Sequence, residues 1–305
     1  MVAGRAALTL PRGVWDPAGV AVLSDAVARR IQQEESDPES FAPSHRFDGL
    51  AAPDSLPAAD GADDAPRSFV RALEALRAAL STGDPAQLSD PMARVALAAC
   101  DLADPFQMTS PARDELPGAR ARFGDALDPA LLAAPGETQF APSEAPAPWQ
   151  DGGLAAAVAL ARASAVLRDS VEHLELASDD SALTALQQDR LAAAAALAGQ
   201  ATELAWRAAS LDATPPSRTL HVWPNPVLDS ATLSFVAPAA GAARLELYDL
   251  SGRRVASAGL GRLAAGPHLF ALDRTRVGAL PAGMYFARLS IAGQAATARL
   301  TYSPR

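Results

Sequence analysis

At "LDATPPSR", residues 211–218, the spacing of apolar residues changes from near 3.6 to 2. One face of a helix recurs every 3.6 residues and one face of a strand every second residue. No single element type serves both sides of that point, so the chain is multidomain, α then β. Residues 1–212 are expected to form an all-α helical bundle, 213–219 a linker, and 220–305 a small antiparallel β-sandwich.

In the front part, "DPAGVAVLSDAVARRIQQEE" opens with Asp16 and Pro17, a helix start, and carries Val20, Leu23, Val27 and Ile31 on one stripe. "RSFVRALEALRAALSTGD" repeats this with Phe69, Leu73, Leu76 and Leu80, stopping near Gly83. "SDPMARVALAACDLAD" starts at Asp90–Pro91 and is broken by Pro105. Two longer helices are expected over about Leu154–Leu176 and Ala182–Ala209, with Ser36–Arg67 as an irregular loop. Trp149 and Trp206 read as packing anchors.

Beyond residue 219, "ATLSFVA", "ARLELYD", "PHLFALD", "MYFARLSI" and "ATARLTY" alternate apolar with polar residues between turn signals. Pro224 and Pro226 around Asn225 set an extended opening strand suited to a sheet edge. Asp249 to Gly252 supplies a hairpin turn, Gly252 being free to take positive φ. Gly283 allows a turn before Met284. His268 reads as a half-buried structural residue, and Tyr248 and Tyr285 as packing residues.

Charge is divided unevenly: residues 216–305 hold ten arginines against four acids, leaving 16 arginines against 31 acids before them. An acidic front argues against nucleic-acid binding by electrostatics. The lone Cys100 excludes an internal disulfide and a cysteine zinc knuckle; within "VALAAC" it reads as a small buried residue. No stretch approaches the roughly 20 apolar residues of a membrane span. "MVAGRAALTLPRGVW" lacks the zones of a signal peptide. No G-x-S-x-G, P-loop, Rossmann or H-E-x-x-H pattern is present.

The order "WPNPVLDSATLSF", "LELYDLSGRRV", "AAGPHLFALD", "LPAGMYFARLS", "ATARLTYSPR" resembles the C-terminal sorting domain of the type IX secretion system and the related immunoglobulin-like module of flagellar hook-capping proteins. The motif positions are Pro224, Asn225, Pro226, Asp249, Gly252, Arg253, Gly266, His268, Gly283 and Tyr285. That resemblance implies an export address, the secretion machinery as partner, and a secreted or surface location. Arg299 stands where the family often has lysine.

"PSHRFDGL", "VALAACDLADPFQMT", "ARARFGDAL" and "ATELAWRAAS" together resemble the zinc-dependent phospholipase C and S1/P1 nuclease superfamily, helical enzymes that hydrolyse phosphodiesters with clustered zinc. The resemblance implies metal ligands at His45, Asp48 and Asp101, with Asp104 a further candidate. Four other ligand positions hold Leu97, Gln107, Arg120 and Gly124. Zinc needs nitrogen, oxygen or sulfur donors, about three or four per ion; leucine and glycine offer none and a fixed cation opposes the metal. The reading is therefore a degenerate phosphodiesterase-like domain without catalytic zinc, an ion pair from Arg94, Arg120 or Arg122 to Asp101 replacing the metal. Two alternatives stay open: a residual single-metal hydrolase on His45, Asp48 and Asp101, and a helical interaction scaffold. Because "MVAGRAALTLP" looks like the family's first helix without what precedes it, Met1 is expected to be an internal methionine with a signal peptide upstream.

Overall fold

The computed structural model describes residues 26–27, 29–30, 47, 64–109, 149, 152–211 and 219–304. Among these the helices are α1 (Ala65–Thr82), α2 (Ser89–Ala103), α3 (Leu154–Ala165), α4 (Arg168–Ala177) and α5 (Asp180–Leu211). The strands that follow are β1 (His221–Trp223), β2 (Ala231–Ala237), β3 (Gly241–Tyr248), β4 (Arg254–Leu263), β5 (Gly266–Leu272), β6 (Gly283–Ile291) and β7 (Gln294–Tyr302). A one-turn helix, α6 (Arg274–Val277), lies between β5 and β6. A helical front followed by antiparallel sheets is thus observed. Of the helix expected from Asp16, residues 26, 27, 29 and 30 are described and helical.

Helix ends follow local chemistry. The Asp64 carboxylate accepts the Arg67 amide at 3.0 Å, starting α1 two residues ahead of the expected start at Arg67. Gly83 takes φ +70° after the last turn. Asp179 accepts the Ala182 amide at 3.0 Å, so α5 begins before Ala182. The single helix expected over Leu154–Leu176 is instead two. Near Val166 the bonding tightens: the Leu167 amide reaches the Ser164 carbonyl at 3.0 Å. The Ser164 hydroxyl donates to the Leu160 carbonyl at 2.9 Å, a back-bond that bends helices.

Two compact units divide the chain. One holds, of the described residues, 64–74, 92–109 and 152–202; the other holds 75–91 and 203–304. In the first, Phe106, Val171 and Leu183 make a small core, with Leu174 and Leu186 against it. Trp149 tilts against Phe69 at 6.3 Å, and a Cβ on Gly153 would strike its ring at 2.5 Å. Cys100 is half-buried, not buried as its apolar run suggested.

The second unit contains a sandwich of a three-stranded sheet, order β1-β2-β5, and a four-stranded sheet, order β4-β3-β6-β7, with antiparallel pairing between neighbouring strands. Leu233, Phe235, Leu245, Leu247, Phe270, Leu289 and Leu300 fill the space between them. The outer side of β2 is also covered: the Ser234 hydroxyl donates to the Gly83 carbonyl. Gly83 fits there because a Cβ would approach Val236 Cγ2 at 3.2 Å, on top of its positive φ. Coverage on both sides fits the burial of six of the seven residues of β2.

Candidate functional site

Two regions carry the sequence expectations. The first is the end of α2 and the turn after it. Leu97 and Asp101 are one turn apart on α2, both half-buried. The Asp101 carbonyl accepts the Asp104 amide at 3.1 Å. The Asp104 carboxylate accepts the Phe106 amide at 2.8 Å, and its carbonyl the Met108 amide at 3.1 Å, so Asp104 organises the turn around Pro105. Gln107 is 7 % exposed, its carbonyl accepts the Phe47 amide at 3.1 Å, and among the described residues its Oε1 has no hydrogen-bond partner.

Beneath this turn lies a buried cation that the sequence reading did not single out. Arg168, 1 % exposed, donates to Thr109 Oγ1 at 2.8 Å and to Glu172 Oε1 at 3.1 Å. Its guanidinium sits 5.5 Å from the Phe106 ring centre, in cation–π contact. The Thr109 hydroxyl in turn donates a hydrogen bond to the Pro105 carbonyl at 3.1 Å. One side chain therefore ties α4 to the turn that follows α2. A signal existed: Arg168 continues the stripe of Ala157, Ala161 and Ala165, all buried, at helical spacing.

His45, Asp48, Arg120, Arg122 and Gly124 lie outside the described residues. Arg94 stands exposed on α2. Among the described residues no group of three His, Cys, Asp or Glu side chains is placed to hold a metal. The described part of the expected zinc set comprises Asp101 and Asp104, one of whose oxygens already accepts a backbone amide. A neutral amide at Gln107 is a poor zinc donor, and the two described carboxylates by themselves fall short of the three or four donors zinc takes.

The second region is the sandwich. Asn225, between the cis bonds Trp223–Pro224 and Asn225–Pro226, turns its carboxamide onto the edge of β7. Its Nδ2 donates to the Arg299 carbonyl at 3.1 Å and its Oδ1 accepts the Thr301 amide at 2.9 Å. Val227 then continues the pairing, its amide to the Thr301 carbonyl and its carbonyl from the Ser303 amide, both 2.8 Å. A side chain thus substitutes for one residue of a strand and closes that end of the edge.

At the β3–β4 hairpin, Asp249 Oδ1 accepts the Ser251 hydroxyl at 2.6 Å and the amides of Ser251 and Arg253 at 2.9 and 3.0 Å. Its other oxygen meets Arg253 Nε at 3.1 Å, and Gly252 takes φ +79°. Those donors, the Ser251 hydroxyl foremost, lower the Asp249 pKa to about 2. Gly266 opens β5 at φ +116°, and Gly283 opens β6 without a positive φ. His268 is 4 % exposed, its ring clustered with those of Phe235 and Phe270, with Nε2 at 2.9 Å from the Ala264 carbonyl. The Tyr285 hydroxyl donates to the Pro281 carbonyl at 2.7 Å.

Residues 221–302 match the family model described as a secretion system C-terminal sorting domain. The sandwich is a sorting domain of that kind, of the type IX system. Across the whole chain, alpha-toxin from Clostridium absonum is similar at 9 % identity over 98 % of this chain and 96 % of that one, TM-score 0.48. Alpha-toxin from an avian strain of Clostridium perfringens is similar at 8 % identity over the same shares, TM-score 0.42. Latent PorU from Porphyromonas gingivalis aligns over 28 % of this chain and 9 % of its own, at 21 % identity and TM-score 0.25. No curated protein matches the sequence significantly. Among the described residues no helix is long and apolar enough to cross a membrane.

Proposed function

We propose that this protein is cargo of a type IX-like secretion route, the sandwich serving as address and the helical front as the passenger brought to the cell surface or beyond it. The observation that carries this is the family match over residues 221–302, which spans the sandwich from β1 to β7. The test is export of the full chain, behind a cleavable export signal, from a bacterium with an intact type IX system. Removing residues 219–305 should leave the passenger inside the cell; equal export without them would overturn the reading.

For the passenger, the reading is a phosphodiesterase-like helical domain that no longer works as a zinc enzyme. Leu97 and Gln107 support it, since neither offers the imidazole that the resemblance requires, as does the engagement of Asp104 in its own turn. Elemental analysis of the purified chain, with phosphodiester hydrolysis measured after zinc reconstitution, decides the matter. Background metal and no turnover are expected; stoichiometric zinc with turnover would refute it.

A further inference from the structure

We propose that the outer face of the four-stranded sheet, centred on Phe286, is where the sorting domain docks an acidic protein surface of the export machinery; this rests on the export reading above. The strand register places Arg254, Tyr248, Phe286 and Arg299 in one row across β4, β3, β6 and β7. They alternate with core residues such as Leu247 and Ala287, so the row faces away from the sandwich core. The open side of an antiparallel sheet is ordinarily polar. Here Phe286 is 38 % exposed and Met284, on the same side of β6, is 37 % exposed.

The charges around that apolar centre are nearly all of one sign. Glu246 is occupied: it accepts Arg254 at 2.9 Å and the Tyr248 hydroxyl at 2.9 Å. Arg244, Arg288 and Arg299 share the face and are exposed; Glu246 stands opposite Arg288 in the register and feels the charge of Arg244, but among the described residues the ion pair it closes is with Arg254, so four arginines face one carboxylate. Arginine, methionine and aromatic residues are the types concentrated at the centres of protein interfaces. A guanidinium presents a planar fork that fits a carboxylate with two parallel bonds. A sheet face with an aromatic centre and a cationic rim therefore selects a partner surface bearing carboxylates around an apolar socket. The chain's net charge of −9 opposes a long polyanion such as nucleic acid, whose field acts on the whole molecule. A local acidic patch meets only this face.

Full-length variants expressed behind the same export signal test the assignment. Arg288→Glu with Arg299→Glu should cut the exported fraction about tenfold, as reversal of two contacts across a charged interface would. Arg288→Lys with Arg299→Lys should retain most of it, and Phe286→Ser should lower it. The same charge change on α1, Arg71→Glu with Arg77→Glu, should leave export unaltered. Thermal unfolding of the arginine variants should match the parent, because those side chains are exposed, whereas Phe286→Ser, which gives up a largely covered ring, should unfold a few degrees lower yet stay folded at the temperature of the export assay. Parental export of the Arg288/Arg299 reversal, while removal of 219–305 abolishes export, would overturn the docking face and leave the export reading standing. Parental export without 219–305 would overturn both. Light scattering of the purified chain should give a monomer. A dimer dissolved by the same reversal would assign the face to a second copy, and nucleic acid bound through it would equally overturn the proposal.

Discussion

Replacing Asn225 with alanine removes both bonds that close the edge of β7, the donation to the Arg299 carbonyl and the acceptance from the Thr301 amide. A net contribution of about 0.5–1.5 kcal/mol per bond sets the scale. Asn225 is exposed, so the freed carbonyl and amide can bind water, and the expected loss is about 1–2 kcal/mol, toward the lower end of the sum. Hydrogen exchange followed residue by residue reads the change where it occurs. The Thr301 amide should exchange about tenfold faster in Asn225→Ala. The Val227 amide, bonded to the Thr301 carbonyl, should change less. Asn225→Asp separates the two bonds: a carboxylate still accepts from Thr301 but cannot donate to Arg299, so Thr301 should stay protected while global stability falls. If Thr301 exchange in Asn225→Ala stays within roughly twofold of the parent, the carboxamide is not what closes the edge, and the reasoning fails.

Arg168→Met keeps much of the side-chain volume but strips the cation from Thr109 and Glu172; because Glu172 keeps some contact with water, urea unfolding should show a loss of about 2–4 kcal/mol, less than a fully buried pair would cost. A loss under about 0.5 kcal/mol would mean that Arg168 does not hold the turn. Gln107→Met removes a buried oxygen without a partner and should be neutral or stabilising by about 1 kcal/mol, whereas a clear destabilisation by the same measurement would contradict that geometry. For Asp249, whose folded pKa is lowered from 3.8 to about 2, the carboxylate supports the hairpin above its unfolded value and that support is lost as pH falls through about 2. An NMR titration of its side-chain carbon should place the midpoint there, and a midpoint near 3.8 would show that the bonds from Ser251 and Arg253 are absent in solution.

The sandwich was legible where its strands have one wet face. β3 and β6 alternate buried with more exposed residues along most of their length, and their sequences display it. β4 was missed because its pairing with β3 slips twice, between Ala243 and Arg244 and between Leu247 and Tyr248. Each bulge shifts the side-chain alternation by one residue, and Gly259 and Gly261 add no pattern of their own. His268 departs from the half-buried expectation because the register sets it opposite Phe235, on the core side of β5 with Phe270 and Leu272. What covers the outer side of β2 comes from Gly83, more than a hundred residues earlier in the chain. No local period encodes a contact of that range. Asn225 escaped for a related reason: proline predicts extended backbone there, but the carboxamide's task is defined only by β7, 74 residues on.

In the helical front, the sequence directed attention to absent donors, and absence names positions without saying what fills them. Gln107 is buried with its Oε1 unsatisfied among the described residues, an arrangement that costs stability and that an apolar residue of similar size would relieve. Arg168 is the reverse case, a cation on an otherwise apolar stripe whose partners supply hydrogen bonds and an aromatic face. The turn Asp101 to Thr109 therefore draws its shape from two sources that need no metal: the Asp104 carboxylate from within and Arg168 from beneath. A segment braced by its own polar groups holds its form without a metal-binding side chain at Leu97 or Gln107, so its shape and any metal chemistry are separate properties.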